Sequence, residues 1–111
     1  MIETKDLFQK SDLIPVIIQH WQTGEVLMLG FTNAEAYELT LKTHTAWFWS
    51  RSRQKLWNKG ESSGNFLHVK KMVTDCDTDT LLYFCAPDGP TCHTGARSCF
   101  FNEIWEEGQH E

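Results

Sequence analysis

The sequence has no long apolar run and few basic residues. Charged side chains at Glu3, Lys5 and Asp6 interrupt the start of the chain, and such a stretch is typical of neither a secretory signal nor a membrane anchor. We therefore expect a cytoplasmic protein. The 10 Lys and Arg residues stand against 15 Asp and Glu residues, giving a formal net charge of -5. Because nucleic-acid affinity depends on basic surface, this balance excludes a general nucleic-acid binder.

Common catalytic and nucleotide-binding motifs are also missing. The patterns GxxxxGK(S/T), GxGxxG, HExxH and GxSxG do not occur, so phosphate-loop, dinucleotide-binding, zincin and hydrolase-elbow sites have no support. Four cysteines are present, but no two of them form a C-x-x-C pair. In a reducing cytosol, cysteines serve as thiols or metal ligands rather than as disulfides. The cysteines therefore direct attention to metal binding.

The composition is sufficient for one small domain. With 111 residues, of which 41% are hydrophobic and 13% aromatic, the chain can bury a core, and we expect a single domain over residues 1–111 with its core at about 13–101. Apolar runs at Leu13–Gln19 and Val26–Phe31, separated by Gln22–Gly24, predict a β-hairpin. Thr32–Glu35 has the spacing of a capping box, which predicts a helix that ends near His44. A domain this small gains stability from a metal or a partner subunit, so we expect a dimer.

The second half of the chain predicts further strands around a binding loop. Ala46–Ser50 is aromatic and strand-like, whereas residues 51–65 are polar and predict a long loop whose cations and glycines suit phosphate. Phe66–Val73 and Leu81–Cys85 predict either an antiparallel pair or two neighbouring strands. Phe100 and Phe101 predict a last hydrophobic contact before a polar tail. The fold class is therefore α+β, a compact domain of mainly antiparallel strands with one main helix.

Cys76, Cys92 and Cys99 are the candidate zinc ligands. A catalytic zinc commonly takes three protein ligands and leaves its fourth position to water, and zinc suits thiolates. Scattered cysteines are equally typical of small buried hydrophobic positions. Their spacing leaves both interpretations open.

Asp75, Asp77 and Asp79 are candidate ligands of a second metal. In an extended segment, alternate side chains share a face, so the three carboxylates would lie together with Cys76 on the other face. Mg²⁺ prefers such oxygen ligands, although a solvated acidic turn would have the same pattern. His93, next to Cys92, could transfer protons at neutral pH or serve as a spare ligand.

Three segments resemble the phosphoribosyl-AMP cyclohydrolase family. Trp49–Arg53 with Leu56–Asn65 has the sequences WSRSR and LWNKGESSGN, Asp75–Asp79 is DCDTD, and residues 89–95 and 98–100 are GPTCHTG and SCF. Together they resemble the family's signature stretch and its two metal motifs, in the family's order. Ser62 stands where threonine is common, and this change keeps the hydroxyl.

The resemblance implies an intertwined homodimer and two metals. It implies Mg²⁺ at Asp75, Asp77 and Asp79, and Zn²⁺ at Cys76 of one subunit with Cys92 and Cys99 of the other. Cys85 matches no ligand position and is predicted to be a buried apolar residue. The implied substrate-binding residues are Arg51, Arg53, Lys59, Ser62, Ser63 and Asn65, and His93 is the implied catalytic residue.

The resemblance also implies a reaction in histidine biosynthesis. Zinc-activated water would add to C6 of the N1-substituted adenine of phosphoribosyl-AMP and break the N1–C6 bond, giving the phosphoribosylformimino-AICAR phosphate product. Many relatives carry a second, pyrophosphatase domain, and we expect this chain to hold the ring-opening activity alone. Two alternatives remain at this point: a structural zinc module that staples a dimer for interaction with another protein, and a Mg²⁺-dependent phosphohydrolase.

Overall fold

Six strands and two helices form the fold in the computed structural model, which describes residues 1–108. The end of the predicted tail, residues 109–111, lies outside the described residues. In chain order the elements are α1 (Thr4–Leu7), β1 (Ile14–His20), β2 (Val26–Thr32), α2 (Ala34–Thr43), β3 (Trp47–Ser50), β4 (Lys55–Asn58), β5 (Leu67–Thr74) and β6 (Leu81–Pro87). Strands thus outnumber helices, as the α+β prediction requires.

A four-stranded sheet in the order β2-β1-β6-β5 carries the core. The pairs β1–β2 and β5–β6 are antiparallel, as predicted, whereas β1 and β6 run parallel, with Val16 opposite Leu81. On β1 and β6 every second side chain is buried, which is the pattern of strands that bury one face. Cys85 on β6 is fully buried, so its predicted apolar role is confirmed.

Helix α2 begins one residue later than the capping-box spacing predicts. Asn33 is the N-cap, and its side chain accepts a hydrogen bond from the backbone N–H of Ala36 at 2.9 Å. Asparagine caps helices well because its side-chain oxygen satisfies an unpaired N–H of the first turn. Ala36 and Thr40 form the buried face of the helix, while Leu41, next to Thr40, is 44% exposed.

A short hairpin takes up part of the predicted long loop over residues 51–65, because Lys55–Asn58 forms a strand. β3 and β4 pair antiparallel, with Phe48 opposite Trp57, so the loop prediction is wrong for Lys55–Asn58. The buried ring of Phe48 packs directly against Gly30 of β2 and so joins this hairpin to the main sheet. A Cβ built on Gly30 would lie only 2.6 Å from Phe48 Cδ1. The hairpin is thereby held against β2, with its cations at the tip.

The C-terminal segment runs along the outer edge of β2. The Cys99 N–H donates to the Leu27 carbonyl at 2.8 Å, and the Ser98 hydroxyl donates to the Val26 carbonyl at 2.7 Å. Beyond this point Phe100 and Phe101 are 64% and 54% exposed. The predicted last hydrophobic contact is therefore wrong for a single chain.

Candidate active site

A cleft of about 420 Å³ opens between the end of the β3–β4 hairpin and the loop after β6. Three segments form its walls: β4, the turn over residues 59–65, and the loop over residues 90–95. Of the residues predicted from the sequence, those on the cleft wall are Arg53, Lys59, Ser62, Ser63, Asn65, Cys92 and His93. Two groups of candidates far apart in the sequence thus meet in one place.

The turn over residues 59–65 is held by its own backbone. The Gly64 N–H donates to the Gly60 carbonyl at 2.7 Å, and the Asn58 N–H donates to Glu61 Oε1 at 2.6 Å. Gly60 has a φ of +104°, and a Cβ there would lie 2.6 Å from the Phe66 backbone N. Both conditions require glycine. The turn therefore has a fixed shape that points Ser62 and Ser63 into the cleft.

Cations lie around an indole ring in the cleft. The Arg53 guanidinium is 6.0 Å and the Lys59 Nζ 5.7 Å from the Trp57 ring centroid, distances that allow cation–π attraction. Arg51, by contrast, lies outside the cleft wall and stacks on Phe31, with 3.9 Å between its Cζ and the ring centroid. The cleft therefore pairs positive charge with an aromatic surface, a combination that suits a phosphorylated ligand with a flat base.

The loop after β6 brings two cysteines together. The Cys92 N–H donates to the Ala96 carbonyl at 3.1 Å, and the Thr91 N–H donates to the Arg97 carbonyl at 3.3 Å. This folds the loop back, so that the thiol of Cys99 lies close enough to that of Cys92 for each to shift the pKa of the other. A salt bridge of 2.9 Å between Arg97 Nε and Glu25 Oε1 fixes the loop to the hairpin of β1 and β2. The spacing in the sequence did not predict this closure.

The two neighbouring thiols differ in acidity. The Thr94 hydroxyl donates to Cys92 Sγ at 3.1 Å and, with the Cys99 thiol and the charge of Lys59, lowers the pKa of Cys92. Partial desolvation of the Cys99 thiol, together with the adjacent Cys92, raises the pKa of Cys99, although the residue as a whole is exposed. Cys92 is therefore the first of the pair to form the thiolate that binds metals. Burial also raises the pKa of Cys85 to about 12, which keeps that thiol out of its metal-binding form.

Asp75, Asp77 and Asp79 converge, but in a turn rather than the extended segment that the sequence predicts. One carboxylate oxygen from each lies within 4.8 Å of the others, and within residues 1–108 this is the one such group of three or more His, Cys, Asp or Glu. Asp75 Oδ1 accepts from the N–H of Asp79 at 3.1 Å, and Thr78 has a φ of +57°. The all-oxygen donor set fits a hard divalent cation.

Lys10 supplies positive charge at the aspartate cluster. Its Nζ lies 3.1 Å from Asp77 Oδ2 and 3.2 Å from Asp79 Oδ2, and these hydrogen bonds raise the pKa of Lys10. The Lys10 side chain is more than half exposed, so it can move away when a cation binds. The cluster therefore accepts positive charge in this conformation.

Cys76 stands apart from the other two candidate zinc ligands. It is exposed in the β5–β6 turn and, among the described residues, joins no group of three metal-binding side chains with Cys92 and Cys99. One copy of the chain therefore presents two of the three cysteines together. His93 is exposed on the cleft wall next to Cys92.

Other cleft residues were not among the predicted substrate-binding residues, although Lys55 belongs to the basic stretch within residues 51–65 whose cations suit phosphate. Lys55 and Trp57 lie two positions apart on β4, and both line the cleft. Residues two positions apart lie on the same face of a strand, so this spacing would have placed both side chains together if β4 had been predicted. Asn58 and Thr91 also line the cleft, and Asn58 Oδ1 and Thr91 Oγ1 are buried with no hydrogen-bond partner within residues 1–108. These two polar atoms of the cleft wall can therefore still form hydrogen bonds, for example with a ligand.

Comparison with known proteins gives consistent results. The family model described as phosphoribosyl-AMP cyclohydrolase matches residues 28–101. A phosphoribosyl-AMP cyclohydrolase of Clostridium botulinum is 56% identical over 99 residues, covering 89% of this chain and 90% of the relative. One of Streptococcus thermophilus is 50% identical over 110 residues, covering 98% of both.

A longer relative matches over part of its length. The histidine biosynthesis bifunctional protein HisIE of Lactococcus lactis is 58% identical over 97 residues, and the match covers 87% of this chain but 46% of that protein.

Among the described residues, no helix is long and apolar enough to cross a membrane.

Proposed function

The chain belongs to the phosphoribosyl-AMP cyclohydrolase family, and from this we infer that it hydrolyses the cyclic amidine carbon–nitrogen bond of phosphoribosyl-AMP in histidine biosynthesis. The observation that carries the assignment is the cleft in which Arg53 and Lys59 lie near Cys92 and His93. One small nucleotide could thus contact both the basic side chains that can bind its phosphates and the side chains that can take part in the reaction. We propose that this chain carries out the ring-opening reaction and that it does so in the cytoplasm.

The reaction requires activation of water. The substrate is AMP with a second phosphoribosyl group on N1, and this substituent makes C6 of the adenine electron-poor. Addition of water at C6 and cleavage of the N1–C6 bond open the ring, and no electrons are exchanged with a cofactor. Water is a weak nucleophile at neutral pH, so the site has to lower its pKa or remove its proton.

We propose that zinc is held by Cys92 and Cys99 with Cys76 of the partner subunit in a homodimer. The closeness of the Cys92 and Cys99 thiols supports a site shared between subunits, because Cys76 joins no group of three or more metal-binding side chains among residues 1–108. A zinc ion bound there would supply Lewis acidity that brings the pKa of water to about 7. Asp75, Asp77 and Asp79 are the proposed Mg²⁺ ligands, because their donors are all carboxylate oxygens.

The chain's own side chains bind and orient the nucleotide. Arg53 and Lys59 are proposed to hold phosphates through charge-assisted hydrogen bonds, with Ser62, Ser63 and Asn65 completing the polar wall. The predicted role of Arg51 has less support, because its guanidinium stacks on Phe31 outside the cleft. His93 is proposed to move protons during addition and ring cleavage, since it is exposed in the cleft next to Cys92.

Turnover of phosphoribosyl-AMP by the purified, metal-depleted chain tests the function. We expect no activity until Zn²⁺ is added, and then ring opening without phosphate release, followed by the change in absorbance. Zinc binding without turnover would instead favour an interaction module. Phosphate release that persists after all candidate cysteine ligands are replaced would favour a phosphohydrolase.

Arg53→Ala should raise KM by about tenfold or more and change kcat less, because a charge-assisted contact to phosphate is lost. Metal content, measured on the same sample, should stay at the wild-type level. Arg51→Ala is the matched comparison and should raise KM less, because Arg51 lies on Phe31. Equal KM changes in the two variants would contradict the assignment of Arg53 as the main phosphate ligand of the pair.

A further inference from the structure

Gly89, in the turn after β6, lies directly against the side chain of Asn65. A Cβ at Gly89 would lie 3.4 Å from Asn65 Nδ2, 3.0 Å from Cγ and 2.6 Å from Oδ1, and the last of these distances is closer than such atoms can approach. We propose that Gly89 is a positioning residue, whose missing side chain lets the Asn65 carboxamide lie on the cleft wall and contact the nucleotide. This proposal rests on the function inferred above.

The backbone conformation gives no other reason for glycine at position 89. Gly60 and Gly64 have positive φ values of +104° and +81°, whereas Gly89 does not lie in this left-handed region. Its φ angle therefore does not require glycine. What a side chain at position 89 would meet is the carboxamide of Asn65, so the space is reserved for that group.

The two residues are held together by the main chain. The Asp88 N–H donates to the Phe66 carbonyl at 3.0 Å. This bond places Gly89, which follows Asp88, beside Asn65, which precedes Phe66. The Asn65 N–H donates to Ser63 Oγ at 3.1 Å. Both backbone positions are therefore fixed, and the orientation of the carboxamide depends on the space above Gly89.

The Asn65 carboxamide is available for a ligand. Within residues 1–108 its side chain makes no hydrogen bond, although it lines the same cleft as Arg53 and Lys59. A carboxamide offers two donors and one acceptor, so it can pair with a group that both donates and accepts, such as the edge of a purine. The proposed role of Gly89 is to keep this pairing surface turned towards the cleft.

Gly89→Ala should lower kcat/KM for phosphoribosyl-AMP by about tenfold, because the carboxamide is displaced. The melting temperature should stay near that of the wild type, because the clash falls on the far end of a side chain that can rotate away. Asn65→Ala should cause a similar loss. The decisive result is the double variant, which should be no worse than Asn65→Ala alone, since Gly89 acts through Asn65.

Other outcomes would overturn the proposal. These are multiplied losses in the double variant, unchanged kcat/KM in either single variant, or a fall in melting temperature of Gly89→Ala that accounts for its lost activity. The wild-type chain is measured in the same assay. Wild-type turnover with unaffected variants would remove the role of Gly89 and leave the enzyme assignment intact, whereas an inactive wild type would remove both.

Discussion

Replacing Cys99 by alanine should remove bound zinc and reduce turnover of phosphoribosyl-AMP by about a thousandfold or more, because the proposed Lewis acid loses one of three ligands. The chain should stay folded, since Cys99 is exposed and its bond to the Leu27 carbonyl comes from the backbone. Zinc content, kcat/KM and the melting temperature are measured on one preparation. Retained turnover in a zinc-free variant would refute the zinc mechanism.

Cys85→Ala is the matched control for the loss of a thiol. Cys85 is fully buried in the core, so its truncation should lower the free energy of unfolding by about 1 to 2 kcal/mol. Zinc content and turnover per folded molecule should not change, because Cys85 lies among core side chains and matches no proposed ligand. The two variants therefore separate loss of a ligand from loss of packing. Zinc loss in Cys85→Ala would reassign the ligands.

Gly60→Ala should unfold the turn over residues 59–65 and abolish turnover. A Cβ at Gly60 would meet backbone atoms, 2.6 Å from the Phe66 N and 2.7 Å from the Asn65 carbonyl carbon, and φ is +104°. Backbone cannot rotate away as a side chain can, so we expect a loss of about 3 kcal/mol or more in the free energy of unfolding. Chemical denaturation and kcat/KM measure the two effects.

Gly64→Ala is the control for the conformational part of this loss. Gly64 also has a positive φ, +81°, but a Cβ there would meet no atom within 4 Å. The change should cost about 1 to 2 kcal/mol, the penalty of a left-handed L-residue alone. A loss equal to that of Gly60→Ala would show that backbone conformation, and not the collision with Phe66, makes position 60 intolerant.

Strands with strong local patterns were predictable from the sequence. Ile14–His20 and Val26–Thr32 are apolar runs on either side of a turn, and Gly24 in that turn has a φ of +80°. Apolar runs and a turn glycine are local signals. The parallel pairing of β1 with β6 has no local signal, because it depends on which distant strand fills the vacant edge. β4 was missed because its four residues lie within a polar stretch.

The geometry by which the candidate site residues come together could not be predicted from their spacing in the sequence. Asp75, Asp77 and Asp79 were expected to converge through strand alternation, but a turn with Thr78 in the left-handed region brings them together. Cys92 and Cys99 meet because loop hydrogen bonds, such as that from Cys92 N–H to the Ala96 carbonyl, fold the chain back. Such closures depend on tertiary contacts that spacing does not record.

The parallel contact between β1 and β6 also determines when the protein can finish folding. During synthesis the hairpin of Ile14–His20 and Val26–Thr32 emerges from the ribosome long before Leu81–Pro87. Until then one edge of β1 has unpaired backbone groups and apolar side chains that can attract other nascent chains. Pairings between distant segments form slowly, so the interval before β6 is translated is when this chain is most exposed to aggregation.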